Sequence, residues 1–267
     1  MNRRNTLSGS IVFVLSIVLF IMLSYIAITG GIGKHPSEKI NCLGQFFVNN
    51  SYNIFNKTFW AGSPEAVTSI LWDYRGFDTI FETTVLFISI AGALVLAYKK
   101  INWDKLITPL FDKGLTLIVK TSVKIISAIV ILLSLNLALR GYISPGGGFA
   151  GGSAYSIAPL LLISGLSIYY IIRLGYKLHK MINIRTIGLL GLSIVSLTPL
   201  LWFGYILQNQ PKPSTTFPGY PVYIGPLYLG GSLIYLNISE FLVVSTEFII
   251  IFLAMFLLLK STKGEAE

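Results

Sequence analysis

The sequence predicts an all-α fold: a polytopic membrane protein of about six transmembrane helices, with both termini cytoplasmic. Three observations predict it. Hydrophobic residues make up 54% of the 267 residues and charged residues only 12%, and the mean hydropathy is +0.73, which excludes an ordinary water-soluble composition. Apolar runs near the ~20 residues that cross a bilayer as helix recur along the chain. The basic residues gather in alternate loops between those runs.

The runs lie at Ile11–Thr29, Thr79–Tyr98, Leu117–Leu139, Phe149–Ile171, Thr186–Gln208 and Ile238–Leu259. Inside a bilayer every backbone amide needs an internal partner, so runs of this length read as helices; barrel strands are about half as long. The first run follows Arg3 and Arg4. It exceeds a signal-peptide core and no A-x-A-like cleavage site follows, so it reads as a retained helix.

A cytoplasmic N-terminus puts Arg3, Arg4, Lys99, Lys100, Lys105, Lys113, Arg173, Lys177, Lys180, Arg185, Lys260 and Lys263 inside. Lys34, Lys39, Lys57, Arg75, Arg140 and Lys212 fall outside. The bias has the positive-inside sign and predicts cytoplasmic termini in a cell membrane. The net charge of +9 is spread over these loops rather than gathered in one patch, so no nucleic-acid partner is implied and the lipid bilayer is the expected surrounding.

Two outer segments are long, Gly30–Phe77 and Asn209–Tyr235. The second contains QPKPSTTFPGYPVYIGPLYLGG, rich in proline, tyrosine and glycine; such a loop either caps this chain's own helices or packs on a neighbouring subunit. The polar stretch Lys99–Lys113, interrupted by Pro109, divides a two-helix front module with a long outer loop, residues 1–100, from a four-helix back module, residues 101–267.

An ionisable side chain at mid-helix depth costs about 2.5–3.5 kcal/mol on insertion scales, so each one needs a reason. WDYRGFDTIFETTVLF supplies Asp73, Arg75, Asp78 and Glu82. Asp78 and Glu82, four apart, share a helix face and are candidates to hand on protons or bind a cation. Arg75 is placed to neutralise one of them, and Asp73 to cap the helix start at its positive dipole end.

In the third span Lys120 sits where it can snorkel to the inner surface, and Lys124 lies about one turn deeper, where an unpaired lysine tends to lose its proton. Arg140 closes that span at the outer side. The last span carries Glu240 and Glu247, seven apart and nearly in register on one face.

The stretch GYISPGGGFAGG, Gly141–Gly152, reads as a helix-packing motif built on Pro145, Gly146, Gly147, Gly148, Phe149, Gly151 and Gly152. Gly147 with Gly151 and Gly148 with Gly152 have G-x-x-x-G spacing, which strips one helix face so that another backbone can approach. Pro145 is expected in the first turn of the fourth span. A backbone-lined ion or water path is the alternative use of such a stretch. No Lys-Ser or Lys-Thr follows the glycines, which excludes a phosphate loop.

No catalytic residue, cofactor or metal site is expected. The single cysteine, Cys42, allows no internal disulfide and no C-x-x-C motif. His35 and His179 share no ligand spacing, and no nucleophile–base set or dinucleotide, flavin or haem fingerprint is present.

These motifs resemble a known family. RGYISPGGGFAGG, preceded by the basic amphipathic KGLTLIVKTSVKIISAIVILLSLNLAL and followed by an apolar helix, resembles the signature of the MnhB/MrpB subunits of Mrp-type multisubunit Na+/H+ antiporters. Relatives of that family occur in membrane-bound hydrogenases. Its P-G-G-G-F-x-G-G core falls on Pro145–Phe149 with Gly151 and Gly152.

DYRGFDTIFETTVLF resembles the module that ends the MrpA subunit and stands as a small subunit in hydrogenase-type complexes. The matching positions are Asp73, Arg75, Gly76, Phe77, Asp78, Thr79 and Glu82. The two resemblances cover about Leu71–Tyr98 and Lys113–Leu259, in the order the modules have in Mrp systems. Tyr142 and Ile143 stand where the family has histidine and asparagine, so no titrating histidine is carried over. Asn237 stands at the aspartate of a common Phe-Asp pair, leaving Glu240 and Glu247 as candidates for the missing charge.

The resemblance implies a noncatalytic membrane subunit of an Mrp-like cation/proton antiporter complex, contributing to the ion or proton path and to subunit packing. Its partners would be other membrane subunits, and Na+ and H+ the transported ions. Alternatives are an ion-translocating subunit of a membrane-bound hydrogenase-like redox complex, with the redox centres in other subunits, and a purely structural scaffold. An independent transporter is disfavoured because no inverted repeat is visible.

Overall fold

The computed structural model describes residues 3–29, 39–98 and 115–264. The chain divides into two compact units, Met1–Gln45 and Phe46–Glu267. In the first, α1 runs Arg3–Ile28. Its described apolar run, Phe13–Ile28, falls short of the 18 residues of a full span, so five helices rather than about six are long and apolar enough to cross a membrane among the described residues.

Those five are in the second unit. After α2 (Cys42–Ser51) comes the single turn α3 (Ala66–Ser69), where the Glu65 side chain accepts the Thr68 N–H as an N-cap. The turn widens into a π turn, Ile70–Tyr74, and then α4 (Gly76–Tyr98) begins. The expected module boundary, Lys99–Lys113, lies outside the described residues; the helices on either side of it belong to one compact unit.

The remaining helices are α5 (Leu117–Arg140), α6 (Gly148–Gly165), α7 (Ile168–Arg173), α8 (Leu178–Leu197) and α9 (Leu233–Gly264). The fourth expected span, Phe149–Ile171, is thus not one helix. Eighteen residues already rise about 27 Å, near the thickness of the hydrocarbon core, and the chain breaks at Ser167, whose backbone is fully extended. The fifth expected span, Thr186–Gln208, is displaced toward the N-terminus: α8 starts at Leu178 and closes with a 3-10 turn at Thr198–Trp202.

Helix α9 is the centre of the unit. Its apolar window is 67% buried, against 17% for α4 and for α5, and it packs on α4, α5, α6 and α8. Apolar burial alone does little to hold helices together in lipid; close backbone approach does more. The sequence provides for it with glycine: a Cβ on Gly152 would lie 2.9 Å from Val244 Cβ on α9, and one on Gly188 of α8 would lie 2.8 Å from the Ser239 carbonyl.

Two apolar clusters flank this seam. Trp72, Tyr142, Leu192, Leu207, Leu233, Leu236 and Val243 fill one end of the bundle; Ile90, Ile163, Ile171, Met181, Ile249 and Ile250 belong to the other.

Helices α4, α6 and α9 begin, and α5 and α8 end, at the face closed by the 203–232 loop. That loop is an ordered cap on this chain's own helices. Its hairpin pairs Tyr223–Ile224 with Leu227–Tyr228, and the Tyr228 hydroxyl donates to the Gly62 carbonyl (2.5 Å) while its own carbonyl accepts from the Tyr142 hydroxyl (2.7 Å). Asn209, fully buried, donates from Nδ2 to the carbonyls of Ala61 (2.6 Å) and Gly230 (2.9 Å) and accepts at Oδ1 from Ser232 N–H (2.6 Å).

Candidate functional site

Two carboxylates occupy the interior of α9's packing face. Glu240 is 3% and Glu247 0% exposed, and seven residues of helix separate them by about 10.5 Å.

Gly148 creates the setting of Glu240. With no side chain there, the start of α6 closes on α9: a Cβ at this position would collide with the Asn237 carbonyl and with Glu240. The Phe149 N–H then donates to Glu240 Oε2 at 2.9 Å, so the carboxylate sits at the positive end of α6. One turn earlier Asn237 Oδ1 accepts from Trp72 Nε1 at 2.9 Å. Glu240 Oε1 and Asn237 Nδ2 have no hydrogen-bond partner among the described residues.

Glu247 faces α8. Arg185 Nη1 lies 3.3 Å from Glu247 Oε1, with only 12% of the arginine side chain exposed, and the guanidinium lies 4.7 Å from the Phe87 ring centroid on α4. A planar cation sandwiched between a carboxylate and an aromatic face is well suited to a site with little water. Glu247 Oε2 and Arg185 Nε have no partner among the described residues.

The carboxylates of α4 are placed differently. Asp78 pairs with Arg75 on the surface, at 58% and 66% exposure, and Glu82 is exposed on this chain. They are therefore not inside the bundle. Helices α8 and α9 thus bring Arg185, Glu240 and Glu247 to one seam, with Asp78 and Glu82 outside it.

Asp73 does not cap α4. The π turn ends the preceding helical stretch at Tyr74, and the Asp73 carboxylate, 2% exposed, pairs with Lys212 at 3.2 Å and accepts the Asn209 N–H at 2.9 Å. Burial raises its pKa above the usual aspartate range, with Lys212 and the Asn209 N–H pulling the other way. Its role here is to pin the cap.

Lys124 is exposed rather than buried, and its ammonium lies 5.7 Å from the Tyr170 ring centroid. Lys120, half-buried, is one turn before it. Arg140 is exposed in the last turn of α5, where a cation complements the helix dipole.

Within the glycine motif Pro145 is not in the first helical turn. Gly147 is the N-cap of α6, with φ +139°, and its N–H donates to the Leu137 carbonyl at 3.1 Å. That bond holds the chain on the end of α5 and delays the helix until Gly148. Gly151 then faces α5, with the Ser134 carbonyl 2.9 Å from its Cβ position, and Gly152 faces α9. The packing use of the motif is realised within the chain, and the half-buried Phe149 contributes its backbone N–H.

Arg185 escaped the sequence reading, which placed it in a loop just before the fifth span. The buried positions Met181, Gly188, Leu192 and Ser196 carry the helical spacing that extends α8 backward through it.

Residues 118–250 match the family described as a domain related to the MnhB subunit of Na+/H+ antiporter. Residues 118–250 are an MnhB-related domain. Arg185, Glu240, Glu247 and the glycine motif lie inside this MnhB-related domain; Asp73, Asp78 and Glu82 lie before it.

Among curated proteins, the uncharacterized protein MJ1307 of Methanocaldococcus jannaschii is 25% identical over 191 residues, covering 66% of this chain and 71% of that protein. Among solved structures, a chain of the membrane-bound sulfane sulfur reductase, an archaeal respiratory membrane complex, is similar with a TM-score of 0.64 and 25% identity. The match covers 92% of this chain and 98% of that one. A chain of the Mrp complex from Dietzia sp. DQ12-45-1b has the same fold, with a TM-score of 0.59 and 19% identity over 97% of this chain and 26% of that longer one.

Proposed function

We propose that this chain is a noncatalytic membrane subunit of an Mrp-like cation/proton antiporter-type complex, and that the seam of α9 is its part of the ion or proton path. The observation that carries the reading is the pair of buried carboxylates in the MnhB-related domain. Glu240 and Glu247 each engage one oxygen and leave the other without a protein partner. A buried carboxylate that serves structure alone is normally satisfied at both oxygens.

Glu82 and Asp78, exposed on α4, would extend the path toward a neighbouring subunit. Residues 1–100 and 101–267 would correspond to an MrpA-tail-like module and an MnhB-like module joined in one chain. The coverage of 97% of this chain within 26% of a single longer chain of the Mrp complex supports that joining. Both termini would be cytoplasmic, with the cap outside, and Na+ and H+ would be the ions.

A second reading places the subunit in a redox-driven respiratory complex. The likeness over 98% of a sulfane sulfur reductase chain favours it. In either setting the seam has the same task.

The test is Glu82→Gln and Glu247→Gln, made separately in the native complex. Lost cation-coupled proton transport with intact assembly supports a path. Unchanged transport with intact assembly overturns it in favour of a scaffold.

A further inference from the structure

Four polar atoms along the seam lack a partner among the described residues: Asn237 Nδ2, Glu240 Oε1, Arg185 Nε and Glu247 Oε2. They fall into two sets, each of one donor and one acceptor. Asn237 and Glu240 are three apart on α9 and share a face, with Cβ atoms about 5–6 Å apart. Glycine backbone packs directly against them, since a Cβ on Gly141 would lie 3.0 Å from Asn237 Nδ2 and one on Gly148 2.6 Å from Glu240 Oε2. Arg185 Nε and Glu247 Oε2 flank a contact whose other two atoms are 3.3 Å apart, so the two orphaned atoms lie within reach of a single bridging group.

The chemistry of each seat selects its occupant. A cation drawn to the carboxylate oxygen would face an N–H donor on its other side, and an anion drawn to the N–H would face the carboxylate. Water alone both accepts from the nitrogen and donates to the oxygen. Among the described residues no three His, Cys, Asp or Glu side chains cluster to form a metal seat.

We propose that the bundle binds two internal water molecules along α9, one bridging Asn237 Nδ2 to Glu240 Oε1 and one bridging Arg185 Nε to Glu247 Oε2. The seats follow from the orphaned atoms; their use as proton stations rests on the path reading above. Each carboxylate then has a hydrogen-bonded route for a proton in addition to its fixed protein contact.

The test is a cryo-EM map of the assembled complex from native membranes, at a resolution that shows ordered water. The expected result is a peak at each seat, about 2.6–3.2 Å from both named atoms. In Asn237→Leu the first peak is expected to vanish and the second to remain. No peak at either seat overturns the proposal, as does Arg185 contacting both Glu247 oxygens directly, or a first peak that persists in Asn237→Leu.

The two failures are separable. Both peaks present while Glu240→Gln and Glu247→Gln transport normally upholds the water seats and overturns the path. Absent peaks with transport lost in those variants do the reverse.

Discussion

Arg185 of α8 and Glu247 of α9 form a buried ion pair, with 3.3 Å between Nη1 and Oε1 and only 12% and 0% of the side chains exposed. Breaking a buried pair from one side strands the other charge, at a cost of about 3–5 kcal/mol. Arg185→Met is therefore expected to destabilise the subunit by that order. The double variant Arg185→Met with Glu247→Met should recover most of it. Thermal unfolding of the detergent-solubilised complex checks both; additive losses in the double variant would show that the pair is not coupled.

The glycine seam makes a contrast within one protein. A Cβ on Gly152 would lie 3.0 Å from the Ser245 nitrogen and 3.1 Å from the Phe241 carbonyl, whereas one on Gly92 meets nothing within 4 Å. Gly152→Ala is expected to cost about 1–3 kcal/mol by overpacking. Gly92→Ala is expected to be neutral or to stabilise by up to about 1 kcal/mol, because alanine is the better helix former. Equal effects in an unfolding assay would contradict the placement of the seam.

Asp73 predicts a pH dependence of the cap. Burial raises its folded pKa above the ordinary 3.8, against the pull of Lys212 and the Asn209 N–H. A raised carboxyl pKa contributes stability that is fully present below pH 3.8 and is lost as pH rises through the folded value. The stability of the wild type relative to Asp73→Asn should accordingly fall with rising pH and then level off. A relative stability that climbs over the same range would mean that the Lys212 pair outweighs burial.

Trp72 ties the segment before α4 to α9 through its bond to Asn237 Oδ1. Trp72→Phe keeps most of the ring volume and removes the donor. The expected loss is about 1–3 kcal/mol, since the asparagine oxygen is left unpaired in a buried setting. Unfolding of the two proteins side by side reads this directly.

The helical class and five of the spans were legible because hydropathy over ~20 residues reports lipid exposure well. The same signal failed where polarity and helix disagree. Arg185 ended the apolar run, so α8's first turns, Leu178–Arg185, read as loop although the helix continues through them. In the opposite direction, Ile168 to Ile171 continue the hydropathic run yet fold into the separate short helix α7, because α6 is already long enough for the membrane.

Of the path candidates, Glu240 and Glu247 are legible as same-face charges and are the two that the fold buries. Asp78, Glu82 and Lys124 were marked by the same rule and lie exposed. Spacing reveals which residues share a face, but only packing decides which face turns inward. The cap's dependence on Asn209 and Lys212 had no local signal, since their partners Ala61 and Asp73 are more than a hundred residues away.

Membership of a multisubunit membrane complex is tested by purifying the tagged chain from its native membranes in mild detergent, with mass spectrometry of whatever co-migrates. Antiporter-type membrane subunits, with or without redox subunits, are the expected companions. A chain that runs alone and transports a cation by itself in vesicles would contradict the account.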